Sequence, residues 1–104
     1  MRLVSAKGAT IHFPPSASNT WVIGREDPVN DIHPDVDLTP YDPDSTVSRR
    51  HAQITLASEQ YLLTSVATTN WTALNGNRLT PHQAVLLRPG DRIEFGRCVV
   101  TFEN

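Results

Sequence analysis

Apolar residues along this chain come in short runs, alternating with polar ones in the clearest cases and separated by turn formers. Ala52, Ile54 and Leu56 share one face of an extended segment, as do Ile93 with Phe95, and Cys98, Val100 and Phe102. Helix signals are nearly absent. Strands are predicted over 2–6, 10–13, 20–24, 36–39, 51–56, 60–65, 72–74, 85–87, 91–95 and 98–102, and a series of short strands with turns between them predicts an all-β antiparallel sandwich. The turns have their own chemistry. Gly96-Arg97 suits a type II′ hairpin and Asn75-Gly76 a type I′ hairpin, while Pro89-Gly90 suits a type II turn.

One stretch breaks the rhythm. Residues 26–44 hold six Asp, one Glu and four Pro in nineteen positions, too much proline for central strands and too much charge for a core. It is predicted to be a long acidic surface loop interrupted by one short strand, inside a single domain covering 1–104. The alternation of Asp31, His33, Asp35 and Asp37 raises a metal site, but Pro34 interrupts it and no second ligand cluster accompanies it, so no metal or other cofactor is expected.

Charge narrows the partners. Nine Lys+Arg against eleven Asp+Glu give a formal net charge of -2, which argues against nucleic acid or an anionic membrane as ligand and makes any anion recognition local. No apolar run approaches the ~20 residues a membrane-spanning helix needs. The lone Cys98 cannot form an internal disulfide, and no charged-then-apolar leader opens the sequence, so a cytoplasmic setting is expected. The 104 residues are compatible with being one part of a longer chain.

Three hydrophilic segments at strand ends carry the candidate chemistry: 23–26, 46–52 and 65–72. Together they offer Arg25, Ser48, Arg49, Arg50, Thr68, Thr69 and Asn70, a set rich in hydrogen-bond donors and poor in bases that could activate a nucleophile. The planar fork of arginine matches phosphate oxygens, hydroxyls complete the shell, and an asparagine amide can hold a peptide backbone. Ser48 with His51 as nucleophile and base is the enzymatic alternative. No Gly-x-Ser-x-Gly elbow or acidic third partner supports it, and no enzyme is expected.

Gly24-Arg25, Ser48-Arg49-Arg50-His51, Thr69-Asn70 and Asn75-Gly76, in this order, resemble the forkhead-associated (FHA) domain pattern of Gly-Arg, Ser-x-x-His, Thr-Asn and Asn-Gly. The resemblance covers about 21–102. It implies an eleven-stranded β-sandwich that binds threonine-phosphorylated proteins or peptides through loops at one end, without catalysis. Arg25, Ser48 and Thr69 match positions that contact phosphate or adjacent peptide atoms, and Asn70 matches the position that holds the peptide backbone. Gly24 and His51 match positions that support the loops from within. Arg49 is a further candidate phosphate or peptide contact, and Arg50 is expected to be a solvated surface charge.

Two departures from the pattern carry expectations of their own. Ala67 and Trp71 stand where the family usually has glycine, so the loop after Asn70 either avoids a left-handed backbone or holds strain of about 1–3 kcal/mol. The acidic insertion, through Asp42 and Asp44, would favour basic residues beside the phosphothreonine. An alternative use of the same fold is a phosphate-independent assembly or oligomerisation module.

Overall fold

The computed structural model describes residues 1–67 and 69–104; the candidate donor Thr68 lies outside the described residues. Eleven strands run in chain order: β1 (Arg2–Ser5), β2 (Thr10–His12), β3 (Thr20–Gly24), β4 (Val36–Asp37), β5 (Ala52–Ala57), β6 (Gln60–Ser65), β7 (Thr72–Leu74), β8 (Asn77–Arg78), β9 (Val85–Leu87), β10 (Arg92–Phe95) and β11 (Cys98–Glu103). They form a six-stranded sheet ordered β2-β1-β11-β10-β7-β8 and a five-stranded sheet ordered β4-β3-β5-β6-β9. The two stack as a β-sandwich.

The core follows from the alternation. Ala52, Ile54 and Leu63 from one sheet meet Leu3, Ile93, Phe95, Val100 and Phe102 from the other, all buried. Leu56 is only half-buried and packs at the margin of this cluster. The hairpins obey local backbone chemistry: Asn75 and Gly76 both take positive φ, as a type I′ turn demands, and Gly96 takes φ +60° at the first position of the β10–β11 turn. Gly90 takes φ +90°, and the Asp91 N–H donates to the Arg88 carbonyl at 3.0 Å.

Three features differ from the sequence-based expectation. Strand β8 was not predicted: it is two exposed residues that become a strand only by pairing with Ala73 and Leu74. One pairing in the antiparallel sandwich is parallel, Ile23 beside Val36 and Gly24 beside Asp37, because β4 arrives through the long loop rather than a hairpin. That loop is also less superficial than its composition suggests. It contains two 3-10 turns, Pro28–Asn30 and Thr39–Tyr41, and it contributes Val36, Leu38 and the carboxylate of Asp42 to the interior.

Strand register decides where the candidate residues meet. Ile23 pairs with Ala52, Ala52 with Ser65, and Phe95 with Thr72. The end of β3, the start of β5, the end of β6, the start of β7 and the β10–β11 turn therefore lie at one end of the sandwich.

Candidate functional site

Gly24 closes β3 against the loop that carries Ser48 and Arg49. A Cβ at this position would overlap the Arg49 carbonyl oxygen and come within 2.9 Å of the Ser48 carbonyl oxygen. The next residue uses that closeness. The Arg25 backbone N–H donates to the carbonyls of Ser48 (3.1 Å) and Arg49 (3.3 Å), and Arg25 Nε donates to the Val47 carbonyl (3.2 Å). The guanidinium is thus anchored through Nε beside Ser48, at the half-buried mouth of the loops.

His51 lies completely buried beneath this loop. Its Nδ1 accepts the Ser48 backbone N–H at 3.0 Å, and its Nε2–H donates to the Trp71 carbonyl at 2.8 Å. These two bonds require the neutral tautomer protonated on Nε2. Burial lowers the pKa of His51 below the ordinary histidine value, against the opposing pull of the Trp71 carbonyl. Phe95 meets the ring edge-to-face at 5.6 Å. The Ser48 hydroxyl is not bonded to this imidazole; instead Asn70 Nδ2 donates to Ser48 Oγ at 3.3 Å. His51 is therefore not placed to deprotonate Ser48.

Thr69 and Asn70 come from the connection between β6 and β7. Asn70 is half-buried and reaches Ser48, while Thr69 is exposed; both border a 220 Å³ pocket whose other walls include Trp71 and Arg78. Trp71 is not among the described non-glycine residues with positive φ, so the chain after Asn70 takes the unstrained route open to a residue with a side chain.

Arg49 projects outward, where its Nη1 lies 3.3 Å from Asp27 Oδ2. Asp27 is itself fixed: its carboxylate accepts from Asn30 Nδ2 at 2.8 Å, and its backbone exchanges two 2.9 Å hydrogen bonds with Ile32. The Asn30 bond, with help from Arg49 and Arg25, lowers the Asp27 pKa despite partial desolvation. Arg50 points elsewhere and is exposed, lining a 380 Å³ groove with Val22, Ile32 and His33.

The acidic alternation that raised a metal site is engaged in local bonding. His33 lies 3.0 Å from Glu26 Oε1 through Nδ1 and 3.0 Å from Asp31 Oδ1 through Nε2, contacts that raise its pKa. Asp35 accepts the Val22 N–H at 2.7 Å, and Asp37 accepts from the Thr39 hydroxyl and the Thr39 and Glu26 backbone. Asp42 likewise does not face a ligand. It is 6% exposed and accepts from Val47 N–H (2.8 Å) and Thr46 Oγ1 (3.0 Å), so its expected role in selecting basic flanks is replaced by a structural one.

Sequence reasoning missed the braces around the loop: Asp42, Thr46, Asp27 and Gly96. Thr46 Oγ1 accepts the Arg97 N–H at 2.8 Å, and Gly96 packs so closely on Thr46 that a Cβ there would lie 2.7 Å from its carbonyl oxygen. The one available signal was the spacing of Asp42 four and five positions before Thr46 and Val47, a reach typical of local carboxylate-to-backbone bonding.

An arginine anchored through Nε, a serine hydroxyl and an asparagine amide thus come from three loops to one end of a β-sandwich, with no base bonded to the hydroxyl among the described residues. Residues 21–96 match the FHA domain, and the chain belongs to this family of phosphothreonine-peptide-binding modules. The chain is 39% identical over 93 residues to Protein FraH of a Nostoc species, covering 88% of this chain and 31% of that protein. It is 32% identical over 90 residues to the oxoglutarate dehydrogenase inhibitor of Corynebacterium jeikeium, covering 86% and 59% respectively. The chain therefore spans about a third and somewhat over half of the lengths of these two relatives.

Solved structures agree with this placement. The N-terminal FHA domain of S. cerevisiae Rad53p, in complex with a phosphothreonine peptide, superposes with a TM-score of 0.75 at 25% identity, covering 99% of this chain and 92% of that one. Mycobacterium tuberculosis EmbR in complex with a low-affinity phosphopeptide gives 0.73 at 26% identity, covering 98% and 24%.

Proposed function

We propose that this chain, read as one domain over 1–104, binds threonine-phosphorylated peptides and so mediates phosphorylation-dependent protein–protein interaction. In this reading the phosphate docks among Arg25, Ser48 and Thr69, with Arg49 as a further contact, while Asn70 holds the backbone of the bound peptide. Gly24 and His51 keep the loops in place. The observation that carries the proposal is the joint anchoring of Arg25 and Asn70 to the Ser48 segment: Arg25 bonds the Val47, Ser48 and Arg49 carbonyls, and Asn70 bonds the Ser48 hydroxyl. Groups from two further loops are thereby tied to the Ser48 segment before a ligand arrives, which lowers the ordering entropy that binding must overcome.

The magnitudes suit a reversible signalling contact. A charge-assisted hydrogen bond contributes about 1.5–3 kcal/mol, so three or four give roughly 5–12 kcal/mol gross. Association costs at least about 4 kcal/mol, leaving at most about 8 kcal/mol, the micromolar level, before backbone contacts are added. Phosphorylation adds a charge close to about -2 and three acceptor oxygens, so the unmodified threonine leaves Arg25 without its main partner.

The cytoplasm, where the buried Cys98 thiol stays reduced, is the setting this reading implies. Burial pushes that thiol's pKa up to about 11, leaving it a poor nucleophile. Among the described residues no helix is long and apolar enough to cross a membrane.

A degenerate phosphothreonine peptide library, screened beside phosphoserine and unphosphorylated counterparts, tests the proposal. Selective capture of phosphothreonine peptides is expected. Equal capture of unphosphorylated peptides would instead identify the phosphate-independent assembly module.

A further inference from the structure

Trp71 stands where the FHA pattern usually has glycine, and it organises a cation beside the candidate site. The Arg78 guanidinium carbon lies 4.5 Å from the Trp71 ring centroid. Arg78 sits on the exposed edge strand β8, whose pairing with Ala73 sets its position relative to β7. Arg2, Arg49 and Arg92 each have a carboxylate partner, at 2.9, 3.3 and 3.6 Å. Arg78, like Arg25, Arg50, Arg88 and Arg97, has none among the described residues, and of these five it is the one stacked on an aromatic ring. It lines the 220 Å³ pocket together with Thr69, Asn70, Trp71, Leu79 and Pro81.

Stacking on an indole covers one face of a guanidinium but leaves its in-plane N–H donors free, and those are the donors that recognise carboxylates and phosphates. The stack also restricts a long side chain that would otherwise lose rotamer freedom on binding. In a protein of net charge -2, a cation held this way and left without an internal partner is a local attraction for an anion.

Since Thr69 and Asn70 border this pocket as well as belonging to the proposed phosphothreonine site, a peptide held by Asn70 passes its rim. We propose that the Trp71–Arg78 pocket is a second anion subsite, in which Arg78 receives an acidic side chain of the same peptide whose phosphothreonine is bound by Arg25 and Ser48. This rests on the functional reading above. An aspartate, a glutamate or a second phosphorylated residue would present the same chemistry.

The test uses the intact chain and calorimetric titration of synthetic phosphothreonine peptides. One peptide has alanine flanks, a series carries a single Asp at each flanking position in turn, and a final peptide carries phosphoserine at the preferred position. Wild type is expected to bind one Asp peptide about three- to fivefold more tightly than the alanine peptide, the size of a partly exposed ion pair. Arg78→Gln is expected to abolish that preference while binding the alanine peptide as wild type does, and Arg78→Lys to keep part of it. A stronger gain with phosphoserine than with Asp would assign the pocket to doubly phosphorylated peptides.

The alternative outcomes are separable. If wild type binds phosphothreonine peptides with no acidic preference at any position, the subsite is overturned and the functional reading stands. Survival of the preference in Arg78→Gln, or an equal loss of affinity for every peptide, overturns the assignment to Arg78. If no phosphothreonine peptide binds wild type, both readings fall together.

Discussion

The buried imidazole of His51 donates to the Trp71 carbonyl across 2.8 Å, joining the start of β5 in one sheet to the residue that leads into β7 in the other. The same carbonyl also accepts the Gly96 N–H at 2.8 Å, so the β10–β11 turn is tied to this point. Removing the ring leaves the Ser48 N–H and the Trp71 carbonyl without this partner and opens a cavity against Phe95. His51→Ala is therefore expected to lower stability by about 2–5 kcal/mol, read as the denaturation midpoint in urea. An unchanged midpoint would refute the bracing role.

His51 also sets an expectation for pH. Its folded pKa lies below the unfolded value of 6.5, so below that pH the unfolded chain binds more protons than the folded one. Its contribution is fully present above about pH 6.5 and is lost as pH falls towards the folded pKa. Asp27 and Asp37, whose pKa values are lowered from 3.8, give up their contributions only at still lower pH. For Asp37 burial works against the shift, and the Thr39 and Glu26 hydrogen bonds outweigh it. Thermal melts from pH 7.5 to about 4.5 should show a decline in wild type that flattens in His51→Gln.

Gly24 is expected to tolerate no side chain. The smallest addition, Gly24→Ala, collides with backbone rather than with the end of a flexible side chain, so the Ser48–Arg49 segment must move. A loss of about 2 kcal/mol or more is expected, together with weaker phosphopeptide binding. Normal melting and binding would show that the loop yields without consequence.

Arg25→Ala and Ser48→Ala should each weaken phosphothreonine-peptide binding at least about tenfold while leaving the fold intact, since each removes a charge-assisted bond from an accessible position. Calorimetry with circular dichroism checks both halves. Wild-type affinity in Arg25→Ala would place the phosphate elsewhere.

Asp42→Ala is expected to act through stability rather than specificity. Its carboxylate is buried on the Val47 N–H and the Thr46 hydroxyl, and the loss of such bonds costs about 1–3 kcal/mol. The measurement is a chemical melt paired with a peptide array. A changed flank preference at unchanged stability would restore the electrostatic role first expected of this residue.

Much of the sandwich was legible because alternation and turn chemistry are local properties. Ile93 and Phe95, or Cys98, Val100 and Phe102, fall on one face whatever they pack against, and Asn75-Gly76 makes its turn from its own backbone preferences. The short strand β8 carried no such signal, since neither exposed residue has a buried face to mark it. The Ser58-Glu59 turn was equally hidden: both residues adopt positive φ without glycine, held by the pairing of Ala57 with Gln60. Asp42 misled because composition counts charges without knowing which will find backbone partners inside.

The order of side chains along the chain settles the faces of the strands, the tight turns and the kind of chemistry available: arginine, hydroxyl and amide donors with no base beside them. It does not settle which donors meet. Arg25, Ser48 and Asn70 come together through the registers of Ile23 with Ala52 and Ala52 with Ser65, and Arg78 reaches Trp71 through the pairing of β7 with β8. Such contacts depend on how strands far apart in sequence align, and on which carboxylates and carbonyls are buried when the sheets close. Both are properties of the assembled core, which the local preferences of any one segment do not contain.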